Sequence, residues 1–227
     1  MFESKYSKFL TVALISGIVV IVGVLVFFGF QLIRNYYINK DAIDAVEKFE
    51  GELNYNNDNT NEQEENLETN TVAPTIGIEN VLVNNNNASN DTNQRMYKGF
   101  PMVGTIEIPA INLKSPVLEE ASASAIEVAV AVYYGPGLNK VGNTTIAGHN
   151  YRNGTFFSNN KNLVEGDKVY ITDNSGEKVT YIIYKIYTTA PEDSEYLDRD
   201  TQGKREISLT TCTDDTKSRL IIWAKEQ

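Results

Sequence analysis

The sequence predicts an all-β domain held behind one membrane-spanning helix and an acidic tether. Three observations lead there. Residues 10–30 form an uncharged apolar run, residues 51–95 are rich in Asn and acids, and seven short β-type runs fill the rest of the chain.

Leu10 to Phe30 reads LTVALISGIVVIVGVLVFFGF, 21 residues without a charge. As a helix it is about 31 Å long, close to the hydrocarbon thickness of a bilayer. A helix inside a small soluble domain has no need to be apolar on every side. The rival is a cleaved signal peptide, whose apolar region usually spans about 7–15 residues and ends in small residues. Here the run is longer and leads into Gln31–Arg34 and Tyr36–Tyr37, which suit a membrane interface. Residues 10–33 are therefore expected to be an uncleaved signal anchor behind an N-terminal segment, 1–9. Lys5 and Lys8 precede the span and Arg34 and Lys40 follow it, so charge alone leaves its orientation open.

Residues 34–95 are expected to be a linker. Within it, residues 41–50 (DAIDAVEKFE) place Ala42, Ile43, Val46 and Phe49 on one side of a short helix. From Gly51 to Arg95, 14 of 45 residues are Asn and aromatics nearly vanish. Such a stretch buries too little apolar surface to offset the entropy of ordering. As a coil, residues 41–95 would separate their ends by about 40 Å.

This segment also explains the charge. Residues 41–95 hold twelve acids and two bases, which equals the whole formal net charge of −10. The acidic balance argues against a general nucleic-acid binder, which needs clustered Lys and Arg. One Cys and one His exclude an intrachain disulfide, a multi-cysteine zinc site and a three-histidine metal site.

From residue 96 the texture becomes that of strands. The runs are Val103–Pro109, Ile111–Leu118, Thr144–Ala147, Lys168–Thr172, Val179–Thr188, Ile207–Cys212 and Leu220–Ala224. Turn signals such as Gly135-Pro136-Gly137, Asn153-Gly154 and Asn174-Ser175-Gly176 divide them. Seven runs in this length suggest a barrel or sandwich. Only Ala121–Ala131 (ASASAIEVAVA) reads as an intervening helix.

Three residues could carry chemistry. Cys212 ends the extended segment ISLTTC, and Arg219 opens the next apolar run after six intervening residues. Neighbouring strands joined that way place thiol and guanidinium side by side. A cation beside a thiol favours the nucleophilic thiolate and can steady an oxyanion. His149 follows the strand Thr144–Ala147, and on a loop at the same end of a barrel it would complete a nucleophile and acid–base pair. Taken singly, each residue has a plainer reading. A lone Cys is most often a small buried hydrophobe, and a lone His or Arg a surface or core partner. The acid-rich loop Pro191–Asp200 reads as a solvated face or one wall of a groove.

The wording of the motifs favours the chemical reading. Ser208-Leu209-Thr210-Thr211-Cys212 resembles the TLxTC motif of the sortases, departing only by Ser for the first Thr. Gly148-His149, Phe156-Phe157, Asn162-Leu163, Gly166-Asp167 and the opening Gly104-Thr105-Ile106-Glu107-Ile108-Pro109 are similar to that family too. The resemblance covers about residues 102–223. It implies an eight-stranded β-barrel with short helices over 96–227. It also implies a cysteine transpeptidase that cleaves an LPxTG-like sorting signal and joins the surface protein to a cell-wall amine through a thioacyl enzyme. In those terms Cys212 is the nucleophile, His149 the general acid and base, and Arg219 the holder of substrate and oxyanion.

The resemblance implies no metal or organic cofactor. Some relatives bind calcium through acids ahead of the His strand, and Leu138–Asn143 has none. Substrate and wall acceptor lie outside the cell, which would put the domain outside and residues 1–9 in the cytoplasm. Residues 91–99 lack the Asp-Pro-aromatic lid of pilin-polymerising members, so a general anchoring type fits, the group called class D among them. Two other readings compete. An L,D-transpeptidase would place His, Gly and Cys in one short motif, whereas His149 lies 63 residues before Cys212. A tethered β-domain that only binds ligand would treat Cys212 as packing.

Overall fold

The computed structural model describes residues 3–64 and 94–227, with side chains over 8–54 and 94–227. One helix, α1 (Glu3–Glu64), precedes nine strands among the described residues. They are β1 (Met96–Tyr97), β2 (Phe100–Ile108), β3 (Leu113–Leu118), β4 (Val130–Tyr134), β5 (Gly142–Ala147), β6 (Lys168–Asp173), β7 (Lys178–Thr189), β8 (Arg205–Cys212) and β9 (Arg219–Glu226). Strands β2 to β9 close an eight-stranded mixed barrel in the order β2-β3-β4-β5-β8-β9-β7-β6, with β6 returning to β2. Closure leaves no open sheet edge in this ring. Two pairs, β3–β4 and β5–β8, are parallel, and the others in the ring are antiparallel.

Alternation fills the interior. Ile106 and Ile108 on β2, Ile171 on β6, Tyr181 and Ile183 on β7, and Ile207 and Leu209 on β8 are all buried in one cluster. Each fully buried Ile or Leu contributes about 1.5–3 kcal/mol relative to exposure. The seven strands expected from the sequence all occur, with ends shifted by a few residues. Single turns of 3-10 helix at Pro109–Ile111 and Asn160–Asn162 supply short helical pieces.

The expected helix at Ala121–Ala131 is not there. Residues 123–128 are a run of turns, with Ser122 Oγ accepting from the Ala125 N–H at 3.1 Å. Val130–Tyr134 is instead strand β4, placed between β3 and β5. Its β-branched and aromatic residues suit a half-buried pleat, and the pairing with two neighbours outweighs the helical spacing of the Ala residues before it.

Helix α1 does not end at residue 33, where the linker was expected to begin. Ala42, Val46, Phe49 and Leu53 lie on one stripe of α1 and are buried, while Ile43 is exposed. Phe49 and Leu53 join Tyr97, Met102, Leu118, Ala125, Ala129 and Ala131 in a second core cluster outside the barrel. The ion pairs Arg95–Glu52 (3.2 Å) and Lys98–Asp41 (3.3 Å) flank it. The short helix expected at 41–50 is thus part of α1, and its apolar side is buried at Ala42, Val46 and Phe49 and continues to Leu53. The expected linker residues 65–93 lie outside the described part.

The N-terminal half of α1 is different. From Phe9 to Phe30 its large apolar side chains are all exposed, Phe9 at 71% and Phe30 at 63%. The segment is long and apolar enough to cross a membrane.

Phe49→Ala should weaken the helix–barrel contact by about 3 kcal/mol, since a well-buried ring leaves a cavity. The barrel has its own core, so limited proteolysis should cut within 34–54 more readily while 96–227 stays resistant. Unchanged protection of 34–54 would show that Phe49 does not hold the helix.

Candidate active site

Register brings the three sequence-selected residues to one end of the barrel. Strands β5 and β8 run parallel, with Ala147 opposite Thr210. His149 and Cys212 each lie two residues beyond that last pair, so both leave the sheet at the same mouth. The Gly148 N–H donates to the Thr210 carbonyl at 3.2 Å and extends the ladder by one step. A Cβ on Gly148 would come within 2.8 Å of both the Phe157 ring and Val130. Only glycine lets the chain pass there.

Cys212 is also the last paired residue of the β8–β9 hairpin, directly opposite Arg219. Arg219 Nη1 donates to Cys212 Sγ at 3.2 Å. The thiol is half-buried. A guanidinium at this distance has further N–H groups with which to meet an oxyanion. Loop residues 213–218 close the hairpin, with the Thr213 N–H donating to the Ser218 carbonyl at 3.0 Å.

His149 is half-buried against Tyr151, whose ring centroid is 4.9 Å away at a 32° tilt. The His149 carbonyl accepts from the Phe157 N–H at 3.1 Å, which folds the loop back on itself. Burial pushes the imidazole below its ordinary pKa, and the Glu127 carboxylate partly opposes this. Because His149 is the chain's only histidine, one imidazole signal reports on it alone. Its NMR titration midpoint should fall below the ordinary value of about 6.5, since desolvation disfavours the imidazolium. A midpoint above that value would mean that the carboxylate, and not burial, governs this ring.

Sequence reasoning missed the residues that tie the two loops together. Asn150 Nδ2 donates to the Cys212 carbonyl at 3.0 Å and to Asp214 Oδ1 at 2.9 Å. Arg152 Nη1 donates to the Asp214 carbonyl at 2.9 Å, and Lys161 Nζ bonds Asp214 Oδ2 at 2.6 Å. These partners are 53 to 64 residues apart in sequence, and nothing local marks them.

The acid-rich loop expected as a solvated face also has a buried part. Arg199 pairs with Glu206 at 2.6 Å, the two side chains only 10% and 11% exposed. The Arg199 guanidinium lies 4.0 Å from the Trp223 ring centroid and bonds Tyr184 Oη and Asn143 Oδ1. Tyr184, donating to Glu206, is pushed up to about 12, chiefly by burial. Arg199 thereby fixes the loop onto the strands at Asn143, Glu206 and Trp223, toward the end of β5 and β8 away from Cys212.

Residues 106–227 match the family model described as the sortase domain, over half of the chain. The chain belongs to the sortase family. Sortase A of Bacillus anthracis is 31% identical over 124 residues, 53% of this chain and 58% of that protein. Sortase A of Streptococcus agalactiae is 30% identical over 145 residues, 58% of this chain and 56% of that one. The chain thus spans less than two thirds of the length of these relatives. Among solved structures, sortase A from Corynebacterium diphtheriae superposes with a TM-score of 0.52 at 30% identity, over 56% of this chain and 61% of that one. A sortase D5 transpeptidase of Clostridium perfringens gives 0.57 over 84% of this chain and 99% of that one. At 22% identity it speaks for the fold alone.

Proposed function

We propose that this chain is a membrane-anchored cysteine transpeptidase that cleaves an LPxTG-like sorting signal and joins the surface protein to a cell-wall amine. The observation that carries the reading is the contact of Arg219 Nη1 with Cys212 Sγ at the mouth that His149 shares. Cys212 Sγ attacks the carbonyl carbon of the Thr–Gly bond, forming a C–S bond and a tetrahedral oxyanion beside the Arg219 guanidinium. His149 gives a proton to the departing amine as the C–N bond breaks, leaving a thioester. An amine of the peptidoglycan precursor or cross-bridge then attacks the thioester, His149 takes its proton, and the thiolate leaves. The product is an amide. Charge on the reacting groups changes only locally, so protein side chains suffice for every step.

The apolar half of α1 supports anchoring as a single span, with residues 1–9 in the cytoplasm and the barrel outside, where wall amines lie. Incubating the full chain with a labelled LPxTG-type peptide and a primary amine tests the reading. Amide product that requires Cys212 supports it. Peptide that is bound but never turned over would instead make the barrel a binding module.

A further inference from the structure

Next to the Cys212–Arg219 pair lies a polar cluster that the proposed reaction does not use. Asp214 sits at its centre. Its carboxylate accepts from Asn150 at 2.9 Å and from Lys161 at 2.6 Å, and its carbonyl accepts from Arg152 at 2.9 Å. Asn150 is the residue after His149, and its amide also holds the Cys212 carbonyl at 3.0 Å. Three separate segments, the His149 loop, the turn at Asn160–Asn162 and the loop behind Cys212, therefore meet at one carboxylate. The neighbouring Asp215 is not equivalent. It turns inward to its own loop, accepting from Thr213 Oγ1 at 2.6 Å and from the Lys217 N–H at 3.1 Å.

We propose that Asp214 is a positioning residue that clamps the His149 loop to the loop behind Cys212 and so fixes the imidazole relative to the sulfur. Beyond the last paired residues of β5 and β8 the two loops have left the ladder. The Gly148–Thr210 bond and the Asn150–Asp214–Arg152 bonds span that gap. A misplacement of about 1 Å between reacting groups can cost roughly 100-fold in rate. The same cluster contributes little to global stability. Asp214 and Lys161 are about half exposed, and a solvent-screened surface ion pair of this kind adds little to stability. Bonds from Lys161 and Asn150 hold the Asp214 carboxyl below its usual range, so the clamp stays charged at neutral pH.

The inference rests on the transpeptidase reading, and its test carries one readout that does not. With the full chain, a labelled LPxTG-type peptide and a primary amine, Asp214→Ala should lower kcat about 10- to 100-fold with KM changed less than about twofold. The melting temperature should shift by less than about 3 °C. Asp214→Asn keeps an oxygen for the Asn150 amide and should return kcat to within about threefold of wild type. The double variant Asn150→Ala/Asp214→Ala should lose less than the product of the two single effects, since both remove the shared Asn150–Asp214 bond. In parallel, the NMR titration of the single imidazole in Asp214→Ala should move up toward its ordinary value, because a released loop is better solvated. Wild-type kcat with an unmoved imidazole titration would overturn the clamp, as would Asp214→Asn being as slow as Asp214→Ala. A wild-type chain without thiol-dependent transfer would defeat the transpeptidase reading, while the imidazole titration would still decide the clamp.

Discussion

Cys212→Ala is expected to bring amide formation from a labelled LPxTG-type peptide and an amine down to background. The chain has one Cys, so no second thiol can substitute. Where a nucleophile and its base act as a unit, removing either costs roughly 10⁶-fold in kcat. A fall of at least about 10⁴-fold is the measurable expectation, and His149→Ala should match it because the two act together. The fold should persist. Cys212 ends β8 at a half-exposed position, and losing one sulfur there leaves the buried Ile207 and Leu209 in place. Activity near wild type in either variant would remove the pair from the mechanism.

Arg219→Lys separates charge from shape. Lysine keeps a cation opposite Cys212, so the rate of thiol alkylation should change little. An ammonium cannot, however, hold the sulfur and present a second N–H to an oxyanion from one rigid fork. Loss of an oxyanion donor typically costs about 10²- to 10³-fold, and kcat should fall by that order with KM altered less. A fully active lysine variant would reduce Arg219 to a charge partner of the thiol. The two measurements together tell which part of the guanidinium matters.

Much of the barrel was legible because its strands alternate β-branched residues with polar ones and are cut by Gly and Asn turns. The adjacency of Cys212 and Arg219 followed from a six-residue hairpin loop, which local spacing encodes. Strand β4 did not. Its apolar residues continue an Ala-rich stretch, and a short apolar run has no period that separates strand from helix. The helical stretch at 41–50 was legible from the spacing of Ala42, Val46 and Phe49, but its docking onto the barrel was not. Ala42, Val46, Phe49 and Leu53 are separated by acids and Lys48, and their stripe is meaningful only once Tyr97, Met102 and Leu118 are there to receive it. Asp214 reads in sequence as one acid in a polar loop. Its three partners come from segments more than fifty residues upstream, so only the folded chain brings them to it.

The docking of α1 sets the altitude of the reactive mouth. Asn153 Nδ2, four residues past His149, donates to Asn35 Oδ1 on α1 at 3.0 Å. Asn35 is five residues beyond Phe30, about 7.5 Å along the helix axis. If residues 10–30 span a bilayer as proposed, the Asn153–Asn35 bond would hold the mouth near headgroup level, close to the end of the span. The ion pair of Glu52 with Arg95 fastens the chain just ahead of β1 to the same helix.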